Sequence, residues 1–256
     1  MNNWAVILGA SSGIGRECAI ELAKNKINIF GIYLRKPKQY IQELEDEIKS
    51  YGVKVVLKKM NAASESNRLD ALNELKSIDN INVKTFIHSL AFGTLKPMID
   101  IEKNNQLKQK QIEMTTDVMS HSLIYWTQDL FNNKLLSENS QIISMTSAGG
   151  NKQWENYGAV SLAKSSLESA TRQLALELAP YKIACNSIEA GVTLTAALEK
   201  IPGFQSMVDS ALKVNPHKRL TLPKDIANAV VMLCLHNSSW ITGNTIKVDG
   251  GESLTN

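Results

Sequence analysis

The sequence predicts a single domain, 1–256, with a doubly wound α/β fold: one parallel sheet of about seven strands covered by helices on both faces. Short runs rich in Val and Ile alternate with longer segments of helical spacing from one end of the chain to the other. The composition, 43% hydrophobic and 21% charged in 256 residues, is that of a globular protein. No linker, low-complexity tract or internal repeat divides it. Right-handed crossovers between such strands place helices on both sides of the sheet.

The first strand, at 4–9, is the apolar run Trp4-Ala5-Val6-Ile7-Leu8. It leads through glycines into a helix at 13–25, in which Cys18, Ala19, Leu22 and Ala23 share a face. Strands follow at 27–34, 53–58 and 83–88, separated by helically spaced segments at 38–51 and 65–76. A long helix is expected over 104–133, a strand at 140–146, and a helix at 157–179 carrying Leu167, Ala170, Leu174 and Leu178. A strand at 182–188, a helix at 223–236 and a strand at 244–248 complete the pattern. The stretch from Thr193 to Pro216 resists it: Pro202, Gly203 and Pro216 interrupt, and only weak helical turns are expected. An irregular segment of that length reads as a lid over about 193–216.

A formal net charge of +3, from 28 Lys and Arg against 25 Asp and Glu, is too small for a nucleic-acid footprint. Three separated cysteines, Cys18, Cys185 and Cys234, give neither a disulfide framework nor a CxxC site, which points to a reducing, cytoplasmic setting. No apolar run reaches membrane-spanning length, and Trp4–Leu8 begins too early to serve as a leader, so no membrane partner is expected. No two histidines have metal-ligand spacing, so no metal site is expected.

Gly9-Ala10-Ser11-Ser12-Gly13-Ile14-Gly15 lies between the first strand and the first helix. Glycines permit the tight turn and close backbone approach, and the helix N-terminus offers free N–H groups to a pyrophosphate. Placed after the first strand, it is expected to be the phosphate site of a Rossmann-like dinucleotide-binding sheet; the alternative is a tight strand-to-helix turn that needs glycine in any case. The second strand ends Tyr33-Leu34-Arg35-Lys36, where an acid would accept from ribose hydroxyls; two cations there suit a 2′-phosphate and therefore NADPH. The alternative is that Arg35 and Lys36 are solvated loop charges. Asn61 and Ala62, past the third strand, stand where an adenine edge can be bonded, or form an ordinary polar loop.

Tyr157 and Lys164 are seven residues apart at the start of the helix at 157–179, nearly two turns, and so project from one face. A lysine beside a phenol stabilises the phenolate and can donate to sugar hydroxyls, which makes the pair suited to polarising a carbonyl beside a bound nicotinamide.

Together, Gly9-x3-Gly13-x-Gly15, Tyr157 with Lys164, Asn186 with Gly191, and Val248-Asp249-Gly250-Gly251 resemble the short-chain dehydrogenase/reductases over essentially the whole chain. Most members place Tyr four residues before Lys; that position is Val160 here. The wider gap is similar to the divergent branch that contains the bacterial enoyl-acyl carrier protein reductases. His88-Ser89-Leu90-Ala91-Phe92 resembles that branch's His-Ser-Ile-Gly/Ala-Phe, and Ala190-Gly191 with Thr195-Ala196-Ala197 resembles its nicotinamide and substrate loop. The intact glycine loop looks like the NADPH-using type. Three positions depart: Ser147 stands where a second tyrosine is frequent, Asp117 where ordinary members carry Asn, and Glu189 where a small residue is usual.

The resemblance implies a cytoplasmic, homotetrameric, NADPH-dependent reductase of the C2–C3 double bond of an enoyl thioester, carried on acyl carrier protein or coenzyme A, serving fatty acid biosynthesis. Tyr157, Lys164 and Ser147 are the expected catalytic residues. Gly9, Ser11, Ser12, Gly13, Ile14, Gly15, Arg35, Lys36, Asn61, Ala62, Ser89, Leu90, Ala91, Lys164, Gly191, Val192, Thr193 and Thr195 are the expected cofactor contacts. A carbonyl reductase of 3-oxoacyl thioesters or another ketone, and a non-catalytic nicotinamide-binding protein, are the alternatives.

Overall fold

A computed structural model describes residues 2–236 and 238–255. Seven parallel strands form one sheet: β1 (Asn2–Leu8), β2 (Asn28–Tyr33), β3 (Val55–Lys59), β4 (Ile81–His88), β5 (Leu136–Ser147), β6 (Ala184–Ala190) and β7 (Thr245–Val248). Their order is β3-β2-β1-β4-β5-β6-β7. The chain winds outward from β1 in one direction and from β4 in the other, and a ligand crevice opens where the order reverses, at the C-terminal ends of those strands.

Both sheet faces are buried, as a parallel sheet requires. Period-two alternation in β1 sends Trp4, Val6 and Leu8 to one face and Ala5 and Ile7 to the other. The first face is covered by α3 (Glu65–Lys76), α5 (Ser122–Asn132) and α6 (Gly158–Leu178), through residues such as Leu75, Trp126 and Leu167. The second is covered by α1 (Gly13–Lys24), α2 (Lys38–Ser50) and α8 (Pro223–Leu235), through Leu22, Leu44 and Ile226 among others. Cys18, Cys185 and Cys234 are buried free thiols whose pKa values burial raises. Among the described residues, no helix is long and apolar enough to cross a membrane, and no group of three or more His, Cys, Asp or Glu is arranged to hold a metal.

The expected helix over 104–133 is instead α4 (Gln109–Thr116), a π-helical turn at Asp117–His121, and α5. Its first residues are spent on the loop: the Gln106 side chain donates to the Asp100 carbonyl and Leu107 N–H to the Pro97 carbonyl. Polar side chains that bond nearby backbone compete with the helix in this way. The expected strand at 140–146 starts earlier, at Leu136, with Asn139 at φ +64° marking an irregularity.

The stretch expected to hold only weak turns contains α7 (Phe204–Val214), with Val208 and Ala211 buried. Pro202, Gly203 and Pro216 flank this helix rather than interrupt it. Gly203 is its N-cap at φ +75°, and Pro216 lies beyond its end.

Candidate active site

The glycine turn is closed to within backbone contact. Gly9 has φ +86°, and a Cβ there would collide with the Ser89 carbonyl just past β4; a Cβ on Gly15 would collide with the Gly9 carbonyl. Ser12 caps α1 from an extended conformation without a side-chain capping bond, and the first turn holds no acidic residue. The N–H groups there remain open to an anion. Thr195 packs its methyl 3.5 Å from the place a Cβ on Gly13 would take. Gly9, Gly13, Gly15, Ser89, Leu90 and Thr195 therefore converge, although Leu90 and Thr195 are 105 positions apart in the chain. These residues fit a dinucleotide: the cradle has no room for side chains and leaves its donors free.

At the end of β2, the Arg35 guanidinium lies 4.7 Å from the Phe92 ring centroid and the Lys36 ammonium 4.7 Å from that of Tyr40. Among the described residues neither cation forms an ion pair. The Met60 N–H donates to the Tyr33 carbonyl, which puts Asn61 beside the end of β2. Asn61 caps its own turn, its Oδ1 accepting from Ala63 N–H, and the Ala62 carbonyl accepts from Trp126 Nε1.

Tyr157 and Lys164 both reach the last residues of β5, Tyr157 from the cap of α6 and Lys164 from its body. Tyr157 is the N-cap of α6, at φ −99° and ψ 0°, held by its N–H donating to the Trp154 carbonyl. Its ring meets Trp154 edge-on at 5.6 Å and packs where a Cβ on Gly149 would stand, beside the Ser147 hydroxyl. The Ser161 and Ser165 hydroxyls donate to the Gly149 and Gly150 carbonyls and lock α6 onto this turn. Burial raises the Tyr157 pKa, and Ser147 offsets this in part. Burial disfavours the charged phenolate, which leaves the phenol with an O–H to donate. Ser147 Oγ is buried without a partner in hydrogen-bond geometry.

Lys164 is buried, and its Nζ donates to the Met145 carbonyl at 2.6 Å. Burial pushes it down to about 8, with Glu168 pulling upward. His88, at the end of β4, is fully buried; burial first, and the Lys164 charge second, depress it to about 3. Its Nε2 is 2.8 Å from Ser122 Oγ, which itself donates to the Val118 carbonyl. Nε2 therefore carries the proton, and Nδ1 is left as a buried acceptor without a partner.

Gly191, Val192 and Thr193 form a clamped loop past β6. Gly191 N–H donates to the Val248 carbonyl, Val192 N–H to the Glu252 carboxylate at 3.2 Å, and Thr221 N–H to the Val192 carbonyl. Sequence reasoning passed over Glu168, Glu252 and the Met145 carbonyl. Glu168 alone left a signal, lying four residues after Lys164 on the same helix.

The model of the family described as Enoyl-(Acyl carrier protein) reductase matches residues 9–253. An NADH-type enoyl-[acyl-carrier-protein] reductase of Haemophilus influenzae is 29% identical over 213 residues, 83% of this chain and 79% of that protein. A 3-oxoacyl-[acyl-carrier-protein] reductase of Staphylococcus epidermidis is 28% identical over 260 residues, 98% of this chain and 99% of that protein. The crystal structure of an NADH-type enoyl-[acyl-carrier-protein] reductase of Aquifex aeolicus superposes with a TM-score of 0.85 at 23% identity, covering 98% of this chain and 96% of that one.

Proposed function

The chain belongs to the enoyl-(acyl carrier protein) reductase family of short-chain oxidoreductases, and from that premise we propose that it reduces the C2–C3 double bond of an enoyl thioester with NADPH. The observation that carries this reading is the half-buried Tyr157 phenol, its pKa raised, on the cap of α6, with the Lys164 ammonium reaching the same strand end. In an enoyl thioester the oxygen that gains charge is two atoms beyond the carbon that accepts hydride. In a ketone the two are bonded directly. A phenol set back from the helix body suits the first arrangement.

When bound, the reduced nicotinamide supplies the hydride. The residues do the rest. The Tyr157 O–H donates to the thioester oxygen as charge builds there, in a site from which water is excluded. Lys164 places its positive charge at the ribose end of the site. Ser147, buried without a partner beside the Tyr157 ring, has a hydroxyl to offer the same oxygen. The loop at Gly191–Thr193 orients the nicotinamide with backbone groups, and α7 with its flanking turns covers the acyl chain, for which exposed Met98, packed against Gly158, offers an apolar wall. Leu162 and Leu176, exposed on α6, support assembly into a homotetramer through α4–α6.

Purified protein given a trans-2-enoyl thioester and the matching 3-oxoacyl thioester at equal concentration, with products identified, is expected to saturate the first and leave the second largely unchanged. Faster formation of the hydroxy product would replace this reading with the carbonyl reductase that the Staphylococcus epidermidis relative is named for.

The cofactor reading rests on Arg35 and Lys36, which among the described residues stand free of carboxylates, on aromatic faces at the end of β2. A guanidinium so held pairs with a 2′-phosphate through charge-assisted bonds. Arg35→Ala is expected to raise KM for NADPH about ten- to a hundredfold while changing that for NADH little. Equal use of the two cofactors by the unaltered protein would count against it, in favour of the NADH named for the Haemophilus relative.

A further inference from the structure

Lys164 and Glu168 are both buried, one helical turn apart on α6. Each is an ionisable group that folding has taken out of water, and a buried charge is costly unless another offsets it. Their direct partners carry no charge. Lys164 Nζ donates to the Met145 carbonyl, and Glu168 accepts from the Thr146 hydroxyl at 2.7 Å. Met145 and Thr146 are consecutive in β5, so the end of one strand seats both charged heads. The turn after β5 is shaped around the carboxylate: a Cβ on Gly150 would collide with Glu168 Oε1.

The geometry points to Glu168 as a positioning residue, which from its seat on Thr146, beside the Met145 carbonyl that holds Lys164, keeps the ammonium cationic and so sets the upper pH at which that end of the site works. This rests on the role proposed for Lys164 above.

The other groups around the pair leave that task to Glu168. From β4, His88 is neutral at ordinary pH and cannot balance the ammonium. From the cap of α6, Tyr157 stays protonated. From the π-helical turn, Asp117 is engaged by the Tyr125 hydroxyl at 3.1 Å. From β6, Glu189 stands opposite Thr146 in the strand register; burial raises its pKa and Glu168 adds to the rise. Of the two buried carboxylates, Glu168 is the one on the same helix as Lys164 and seated beside its Met145 anchor. Lys152, Lys247, Asp249 and Glu252 line a cavity of about 120 Å³ next to Glu189, where solvent moderates their charges.

The sign follows directly. Burial lowers Lys164 to about 8 even with the Glu168 carboxylate pulling upward. Removing the carboxylate while keeping the shape, Glu168→Gln, makes Lys164 lose its proton at lower pH. The test is a pH titration by NMR of the full-length, cofactor-free protein, isotope-labelled at lysine Cε, with the Lys164 signal identified by its loss in Lys164→Arg. The midpoint is expected near 8 in the parent. It should fall by about one unit or more in Glu168→Gln. Glu168→Asp, which keeps the charge, and Glu189→Gln should stay within a few tenths of the parent.

An unmoved midpoint in Glu168→Gln, or an equal fall in Glu189→Gln, would overturn the assignment. If Glu168→Gln does not fold, Thr146→Val removes the seat but not the charge and is expected to give a smaller fall; none would overturn it. The alkaline limb of kcat/KM with an enoyl thioester should move with the NMR midpoint. A shifted midpoint without a matching limb would keep the hold of Glu168 on Lys164 and refute the role of Lys164 in the reaction.

Discussion

Changing Tyr157 to phenylalanine is expected to lower turnover by roughly two to four orders of magnitude, the scale of losing a group that stabilises an oxyanion or supplies a proton. Phenylalanine keeps the ring that meets Trp154 and fills the space above Gly149, so the cap of α6 and the turn after β5 have no reason to move. The lost atom is the hydroxyl oxygen. Because the ring contacts stay, the melting temperature should change little. Steady-state rates with an enoyl thioester, a thermal melt and cofactor binding by fluorescence separate these effects. Parent-like turnover in a folded variant would remove Tyr157 from the catalytic role.

Gly9→Ala should be the most damaging small substitution in the cofactor half. The residue sits at φ +86°, where a Cβ costs about 1–2 kcal/mol. The same Cβ would meet the Ser89 carbonyl, a backbone atom that cannot swing aside, and overpacking of that kind costs about 1–3 kcal/mol more. A loss of about 2–5 kcal/mol is a large part of the roughly 5–15 kcal/mol that holds a domain together. Gly203→Ala supplies the comparison. Gly203 also has positive φ, +75°, but nothing lies within 4 Å of its would-be Cβ, so only the backbone strain remains. Denaturant midpoints of the two variants should differ clearly, with NADPH affinity falling only in Gly9→Ala. Similar midpoints would mean that β1 and β4 are not as tightly joined as the contact implies.

Both predictions join a feature visible in the sequence to one that is not. The glycine spacing announces a tight turn, but not that Ser89 is the wall it turns against. Tyr157 and Lys164 are recognisable by position, but their spacing does not show that Tyr157 is the N-cap of α6, held there through Trp154. The helix at Phe204–Val214 had its own signal in Phe204, Met207, Val208 and Ala211, which recur at helical spacing. Pro202 and Gly203 mask that signal, because the same residues that break a helix also start one.

By itself the sequence determined the alternation of strands and helices, the glycine turn after β1 and the two residues that reach the end of β5. Each of these is written in spacing along a short stretch of chain, where side-chain period and backbone sterics act locally. Only the tertiary structure decided which groups keep their protons. The Tyr157 pKa is raised, His88 is held to one tautomer, and Lys164 and Glu168 are seated on consecutive residues of β5 because β4, β5, β6 and α6 meet there and exclude water. Electrostatic effects depend on distance in space and on burial, and residues 22 positions apart, such as Thr146 and Glu168, acquire both only when the sheet and its helix are assembled.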